Sequence, residues 1–258
     1  LEPIGRGQYG QVFRAINLET QEVVALKELD RKKFATSRFL NEFCFLVSLS
    51  HPNIVKCHAI EYSKNNRYLV MDYFEGGNLR TFLTSKQESS LSQGLQLVCD
   101  ILQGLEYIHS KGVVHRDLKP ENILLKQESD SSIACISDFG ISKWINFEPS
   151  VGLTKSDTGS PAYMAPEQFE GKYSYASDIY AVGIILFEVI VGVRPFSGIP
   201  DKLRESHLSE PVVIPETVAL PFQQIIFKAL QKSPHKRFKS AAEMLKSLQL
   251  AIQQFSVE

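Results

Sequence analysis

His115-Arg116-Asp117-Leu118-Lys119-Pro120-Glu121-Asn122 decides how this chain is read. It sets a carboxylate, a cation and an amide within six residues, from Asp117 to Asn122. Before it lies Leu91–Ser110, whose apolar residues recur at three- and four-residue steps, and then Gly112, where a helix C-cap favours glycine. Further along, Asp138-Phe139-Gly140 adds a second carboxylate on a glycine turn after the short predicted strand Ile133–Ile136. Gly159-Ser160-Pro161-Ala162-Tyr163-Met164-Ala165-Pro166-Glu167 follows.

Towards the N-terminus, Gly5-Arg6-Gly7-Gln8-Tyr9-Gly10-Gln11-Val12 has the G-x-G-x-x-G-x-V form. Its glycines let backbone N–H groups approach phosphate oxygens with no Cβ in the way. Spaced glycines also occur in structural turns. A dinucleotide-binding loop needs a helix immediately afterwards, whereas Gln11–Leu18 reads as a strand. Val24-Ala25-Leu26-Lys27 is a strand ending in lysine, ordinarily a solvated residue. A lysine that faces phosphates through an ion pair needs an acid on a neighbouring element, and Glu42 can supply it. Any one of these five segments could be a surface loop. Five in this order, at compatible spacings, are not a chance set.

The chain changes character near residue 75. Before it, Gln11–Leu18, Glu22–Leu29 and Arg67–Tyr73 read as strands, interrupted by one helix over about Thr36–Ser48 that carries Glu42. After Gly76-Gly77 the pattern is mostly helical, with helices predicted at Ser177–Gly192, Ala219–Lys232 and Ser240–Phe255. A small strand-rich lobe thus precedes a larger helical one, and a ligand site between lobes is the default expectation. There is no internal repeat and no low-complexity tract.

Composition excludes other classes. With 258 residues and 43% hydrophobic content the chain is no disordered tail, and a formal net charge of −1 offers no broad field for nucleic acid or anionic membrane. Cys44, Cys57, Cys99 and Cys135 lie far apart among apolar neighbours, without metal-ligand spacing, and read as buried thiols in a reducing compartment. The longest apolar run, Tyr180–Val193, is too short to span a bilayer and contains Glu188. No signal peptide precedes the first motif, so a cytoplasmic domain cut from a longer protein is expected.

Together the segments resemble the eukaryotic-type protein kinases over essentially the whole chain. The resemblance implies an α+β two-lobed fold: an antiparallel-sheet N-lobe with one helix (1–73), a hinge region (74–77) and a larger helical C-lobe (78–258). It implies a protein serine/threonine kinase that moves the γ-phosphoryl group of ATP, with Mg²⁺, to protein hydroxyls. Ile4 and the loop glycines Gly5, Gly7 and Gly10 would cover the nucleotide. Lys27 would hold its α- and β-phosphates while paired with Glu42. Val12, Ala25 and Leu124 would sandwich adenine, Asp72 and Phe74 would meet it through their backbone, and Met71 would be the gatekeeper. Asp117 would be the catalytic base, Lys119 would steady the γ-phosphate, and Asn122 and Asp138 would be the metal ligands. Lys119 within Leu-Lys-Pro-Glu-Asn resembles the serine/threonine branch, and Ser160 matches the hydroxyl that supports Lys119 and Asp117.

By the same resemblance, Asp178 braces the catalytic loop and Arg237 pairs with Glu167. Leu46, Cys57, His115 and Phe139 would form an apolar stack, although Cys57 is smaller than the usual aliphatic. Tyr180 and Ala181 stand where Trp-Ser is common. Glu121 and Glu188 sit where basophilic kinases bind substrate arginines, but both acids also occur widely elsewhere. Thr154, Ser156 and Thr158 are candidate phosphosites, with Arg116, Lys143 and Arg38 as candidate phosphate cations. Asp178-Ile-Tyr-Ala-Val-Gly and Arg237-Phe-Lys-Ser-Ala-Ala-Glu-Met resemble the bacterial members, which allows a parent protein with a membrane anchor. Two rivals are a binding-only pseudokinase, against which Lys27, Asp117, Asn122 and Asp138 are all present, and a small-molecule kinase. The complete Gly159–Glu167 segment, a peptide-docking floor in protein kinases, argues against the latter.

Overall fold

The computed structural model describes residues 1–7, 10–30, 46–62, 66–85, 90–129, 131–139, 143–144 and 160–255. It divides into two compact units, Leu1–Glu75 and Gly76–Glu258.

In the first unit the described residues form a five-stranded sheet in the order β1-β2-β3-β5-β4. The strands are β1 (Glu2–Gly7), β2 (Gly10–Ile16), β3 (Val23–Asp30), β4 (Cys57–Tyr62) and β5 (Asn66–Asp72). Every neighbouring pair is antiparallel. Between β2 and β3 the chain reverses through Asn17, whose Oδ1 accepts the Glu19 N–H at 2.9 Å, the side-chain mimic of a backbone turn. Register then sorts side chains between the two faces. Val12 lies opposite Lys27, Lys27 opposite Leu69, and Ala25 opposite Met71. Those five residues therefore share one face. Of the predicted helix Thr36–Ser48, residues 36–45, with Arg38 and Glu42, lie outside the described residues, while 46–48 are helical.

The second unit packs helices α1 (Leu79–Thr84), α2 (Leu91–Ser110), α3 (Tyr175–Val191), α4 (Pro200–Ser209), α5 (Leu220–Ala229) and α6 (Ala241–Phe255). It also holds two short ladders, β6 (Val113–Val114) with β9 (Lys143–Trp144) and β7 (Ile123–Gln127) with β8 (Ser132–Ile136). The bounds of α2 are those the sequence predicts. Ser90 caps its start by accepting the Gln93 N–H at 3.1 Å, and Gly112 follows its end at φ 79°, a conformation that costs glycine least. α3 is apolar all round and lies at the centre of the unit, with Ile179, Tyr180, Val182, Ile184, Ile185 and Leu186 fully buried. Its Gly183 is set by packing: a Cβ there would come within 2.8 Å of the Ala229 Cβ on α5. α5 ends at Ala229, three residues before the predicted limit at Lys232, and the carbonyls of Gln231 and Lys232 beyond it accept from the Arg237 guanidinium at 2.7 and 3.0 Å. None of the described helices is long and apolar enough to cross a membrane.

Candidate active site

The loop after β6 is fixed from beneath. Asp178, 1% exposed on α3, accepts the backbone N–H groups of His115 and Arg116, each at 2.9 Å, and its Oδ2 also meets His109 Nε2 at 2.9 Å. Arg116 adopts φ 76° within this brace. Such a conformation is uncommon for a residue with a side chain, and it persists because its surroundings determine it. His115 is fully buried. Its Nδ1 accepts the Asp117 N–H at 3.3 Å, so Nε2 carries the proton and donates to the Ser137 carbonyl at 3.0 Å. One imidazole thereby ties this loop to the segment bearing Asp138. Its ring also meets Phe139 edge-on at 5.0 Å between centroids.

Asp117 is the centre of a converging set. Its Oδ2 accepts Lys119 Nζ at 2.8 Å and Asn122 Nδ2 at 3.1 Å, and its Oδ1 accepts the Ser160 N–H at 2.8 Å. Lys119 Nζ donates a second bond, at 2.8 Å, to Ser160 Oγ. Asn122 Nδ2 also donates to the Asp117 carbonyl at 2.9 Å, which leaves its Oδ1 as the amide's oxygen donor. Asp138, half-buried, stands at φ 60°, which aspartate tolerates better than most residues. Leu124 is half-buried on β7, between the buried Ile123 and Leu125, and so takes the opposite face of that ladder.

On the sheet of the first unit, Lys27 is 7% exposed on the same face as Val12, Ala25 and Met71. Gly7 pairs with Gly10 at the end of the ladder where the chain passes from β1 to β2, Ile4 is exposed, and a Cβ on Gly5 would meet nothing within 4 Å. Packing therefore does not demand glycine at position 5. Asp72 binds β4 and the residue before it through its carboxylate, at 2.6 Å from His58 Nε2 and 3.3 Å from the Lys56 N–H, while Phe74 is half-buried. Leu46 and Cys57 are buried in this unit, as His115 and Phe139 are in the other.

Three further residues shape the site without being legible in the sequence. Gln168 accepts the Ala165 N–H and donates to the Arg116 carbonyl, at 2.9 and 3.0 Å. Asp100, inside the apolar stripe of α2, accepts the Ala134 N–H of β8 at 3.0 Å, and burial raises its pKa. Arg80 binds Glu121 at 2.9 Å, Glu188 at 2.7 Å and the Tyr163 hydroxyl, so both acids at the arginine-binding positions already hold a guanidinium of this chain. Only an aspartate interrupting an apolar stripe could have flagged one of these.

The protein kinase domain model matches residues 1–248. The chain is 34% identical over 99% of its length to the serine/threonine-protein kinase PkaA of Streptomyces coelicolor, covering half of that protein. It is 34% identical over 92% of its length to CBL-interacting protein kinase 1 of rice, covering 52% of it. It is 32% identical over 91% of its length to serine/threonine-protein kinase atg1 of Dictyostelium discoideum, covering 36% of it. The chain thus spans about half the length of these relatives, or less. The fold, the Asp117-centred loop and these matches agree, and the chain belongs to the protein kinase family as a domain of the serine/threonine type.

Proposed function

We infer that this domain transfers the γ-phosphoryl group of ATP, with Mg²⁺, to serine and threonine hydroxyls of proteins. The observation that carries the reading is the single carboxylate, Asp117, held by Lys119, Asn122 and the Ser160 N–H. An oriented carboxylate at this place accepts the proton of the attacking hydroxyl, and Lys119 beside it meets the charge on the transferred group. Nucleotide and cation supply the electrophilic phosphoryl group and part of the charge neutralisation; the protein's own share is positioning. Asn122 Oδ1 and the Asp138 carboxylate are hard oxygen donors. Among the described residues no group of three or more His, Cys, Asp or Glu side chains could cage a metal. Two oxygen ligands completed by phosphate oxygens suit Mg²⁺, which rarely takes an all-protein cage. On the first unit, Lys27 is assigned to the α- and β-phosphates, Val12, Ala25, Ile4 and Met71 to the adenosine, and bare Gly5 to close backbone approach. Residues 74–77 are taken as the hinge, with Asp72 and Phe74 meeting adenine. We place the domain in the cytoplasm, in keeping with the buried thiols of Cys57, Cys99 and Cys135, and assign it no nucleic-acid partner.

With γ-labelled ATP and Mg²⁺, label should pass to a protein mixture and not to small alcohols such as aminoglycosides; the reverse preference would make this a small-molecule kinase.

Regulation by phosphorylation between Asp138 and Glu167 belongs to the same proposal. Thr154, Ser156, Thr158 and Arg38 lie outside the described residues, as does the Lys143 side chain. Arg116, buried against the Tyr173 ring with its guanidinium 3.6 Å from the centroid, is the described cation of that set. A phosphate brings about −1.5 to −2 charges and requires such cations. Phosphatase treatment is expected to lower activity and preincubation with MgATP to restore it. Full activity of the triple alanine variant at 154, 156 and 158 would refute the switch.

A further inference from the structure

α1 starts where the chain is pressed onto β7. A Cβ on Gly76 would come within 2.5 Å of the Leu125 carbonyl oxygen, and the Leu125 N–H donates to the Gly77 carbonyl at 3.0 Å. Asn78 then caps the helix by accepting the Thr81 N–H at 3.0 Å, and Leu79 is fully buried, so the place of Arg80 is fixed. The Arg80 Nε donates to Glu121 at 2.9 Å, while Nη1 and Nη2 donate to the two oxygens of Glu188 on α3, at 2.7 and 3.3 Å. Nη2 also donates to the Tyr163 hydroxyl, which donates in turn to Glu188 Oε2 at 2.6 Å. Burial and the neighbouring Glu188 raise the Tyr163 pKa, so that proton stays in place. The side chain of Glu188 is only 6% exposed. This cluster borders the Asp117 site. Glu121 stands between Lys119 and Asn122 in the chain, and both of those bind Asp117. The Tyr163 N–H donates to the carbonyl of Ser160, whose own N–H donates to Asp117.

We propose that Arg80 is a specificity-determining residue: it fills, from within the chain, the place where Glu121 and Glu188 would otherwise take a basic side chain of the substrate. The domain then selects serine and threonine hydroxyls without regard to flanking arginine. The proposal rests on the reading of this domain as a protein serine/threonine kinase. A buried carboxylate such as Glu188 requires a cation and further donors, and the forked guanidinium with the Tyr163 hydroxyl supplies both. A substrate guanidinium could enter only by displacing Arg80, and the exchange would break the same bonds that it makes. Arg80 also holds the advantage of attachment, with an effective concentration of about millimolar or higher against a dilute peptide. Glu121 retains a second oxygen, but its side chain is 44% exposed, so another cation there is attracted only through water.

The test walks one arginine through a neutral serine peptide, before and after the acceptor, and compares kcat/KM with alanine at each position. In the unaltered domain no position should change kcat/KM by more than about fivefold, the most that a solvated ion pair supplies. In Arg80→Ala, arginine at one or two positions should raise kcat/KM about tenfold or more, as a charge-assisted bond to a buried acid does. Adding Glu188→Gln should abolish that gain. Should Arg80→Ala fail to fold, Arg80→Gln, which keeps a donor for Glu188, takes its place with the same expectation. A second readout needs no turnover: millimolar methylguanidinium should raise the Tm of Arg80→Ala more than methylammonium does, and should not distinguish itself on the unaltered domain. A tenfold arginine preference in the unaltered domain, or the same flat profile in the folded Arg80 variant, would overturn the proposal. Failure of the unaltered domain to label any peptide would instead count against the proposed function. The melts would still decide whether the two acids take a guanidinium once Arg80 is gone, and equal shifts with both cations would overturn that.

Discussion

Asp117→Asn is expected to lower kcat at least about 10²-fold, the low end of what a positioned general base contributes, while leaving nucleotide affinity within about twofold. Two effects combine. The amide is too weak a base to take the substrate proton. Its NH₂ must also replace one of two acceptor oxygens, of which Oδ2 receives Lys119 and Asn122 and Oδ1 receives the Ser160 N–H. Whichever way the amide is turned, a donor then faces a donor and Lys119 or Ser160 is displaced. Asp138→Asn should behave differently, weakening Mg²⁺-dependent nucleotide binding itself. Steady-state turnover beside calorimetric titration of nucleotide, with and without Mg²⁺, separates the two. Full activity of Asp117→Asn would remove that residue from the role of base.

Arg237→Ala is expected to destabilise the domain by about 3–5 kcal/mol, enough to lower Tm by about 10 °C in a chain of this size. The guanidinium has no exposed side-chain surface and binds Glu167 through two nitrogens at 2.7 and 2.8 Å. It also donates to the carbonyls of Ala176, Gln231 and Lys232 at 2.8, 2.7 and 3.0 Å. Removing it strands a nearly buried carboxylate and three carbonyls at once. The comparison that isolates burial is Lys228, paired with Glu243 at 2.7 Å but with about two-fifths of each side chain exposed (42% and 38%). Lys228→Ala should cost less than about 1 kcal/mol. Thermal melts of the two variants test this, and equal losses would show that burial is not what gives the Glu167–Arg237 pair its weight.

What could be read from the sequence was local. Asp117, Lys119 and Asn122 fall within six residues of chain, and Ser160 lies in a segment that is telling only beside the other four. α2 was legible to the residue because its apolar period runs its whole length and Gly112 marks its end. β1 was not: Glu2-Pro3-Ile4-Gly5-Arg6-Gly7 has a single β-branched residue, and its strand form comes from pairing with β2. β4 escaped because its register shifts between Cys57 and Ala59, which breaks the alternation. α4 was missed for a different reason, since of its ten residues only Leu203 is a buried apolar one and no stripe exists to find. Arg80 meets Glu188 across 108 positions, and His207 meets Tyr180 across 27. Such contacts are made by the fold, and no spacing rule anticipates them.

Phosphoamino-acid analysis, after incubating the domain and its Asp117→Asn variant with γ-labelled ATP, Mg²⁺ and protein acceptor, tests the central claim most directly. The unaltered domain should give phosphoserine and phosphothreonine and the variant almost no label. A dominant phosphotyrosine signal, or equal labelling by the variant, would contradict it.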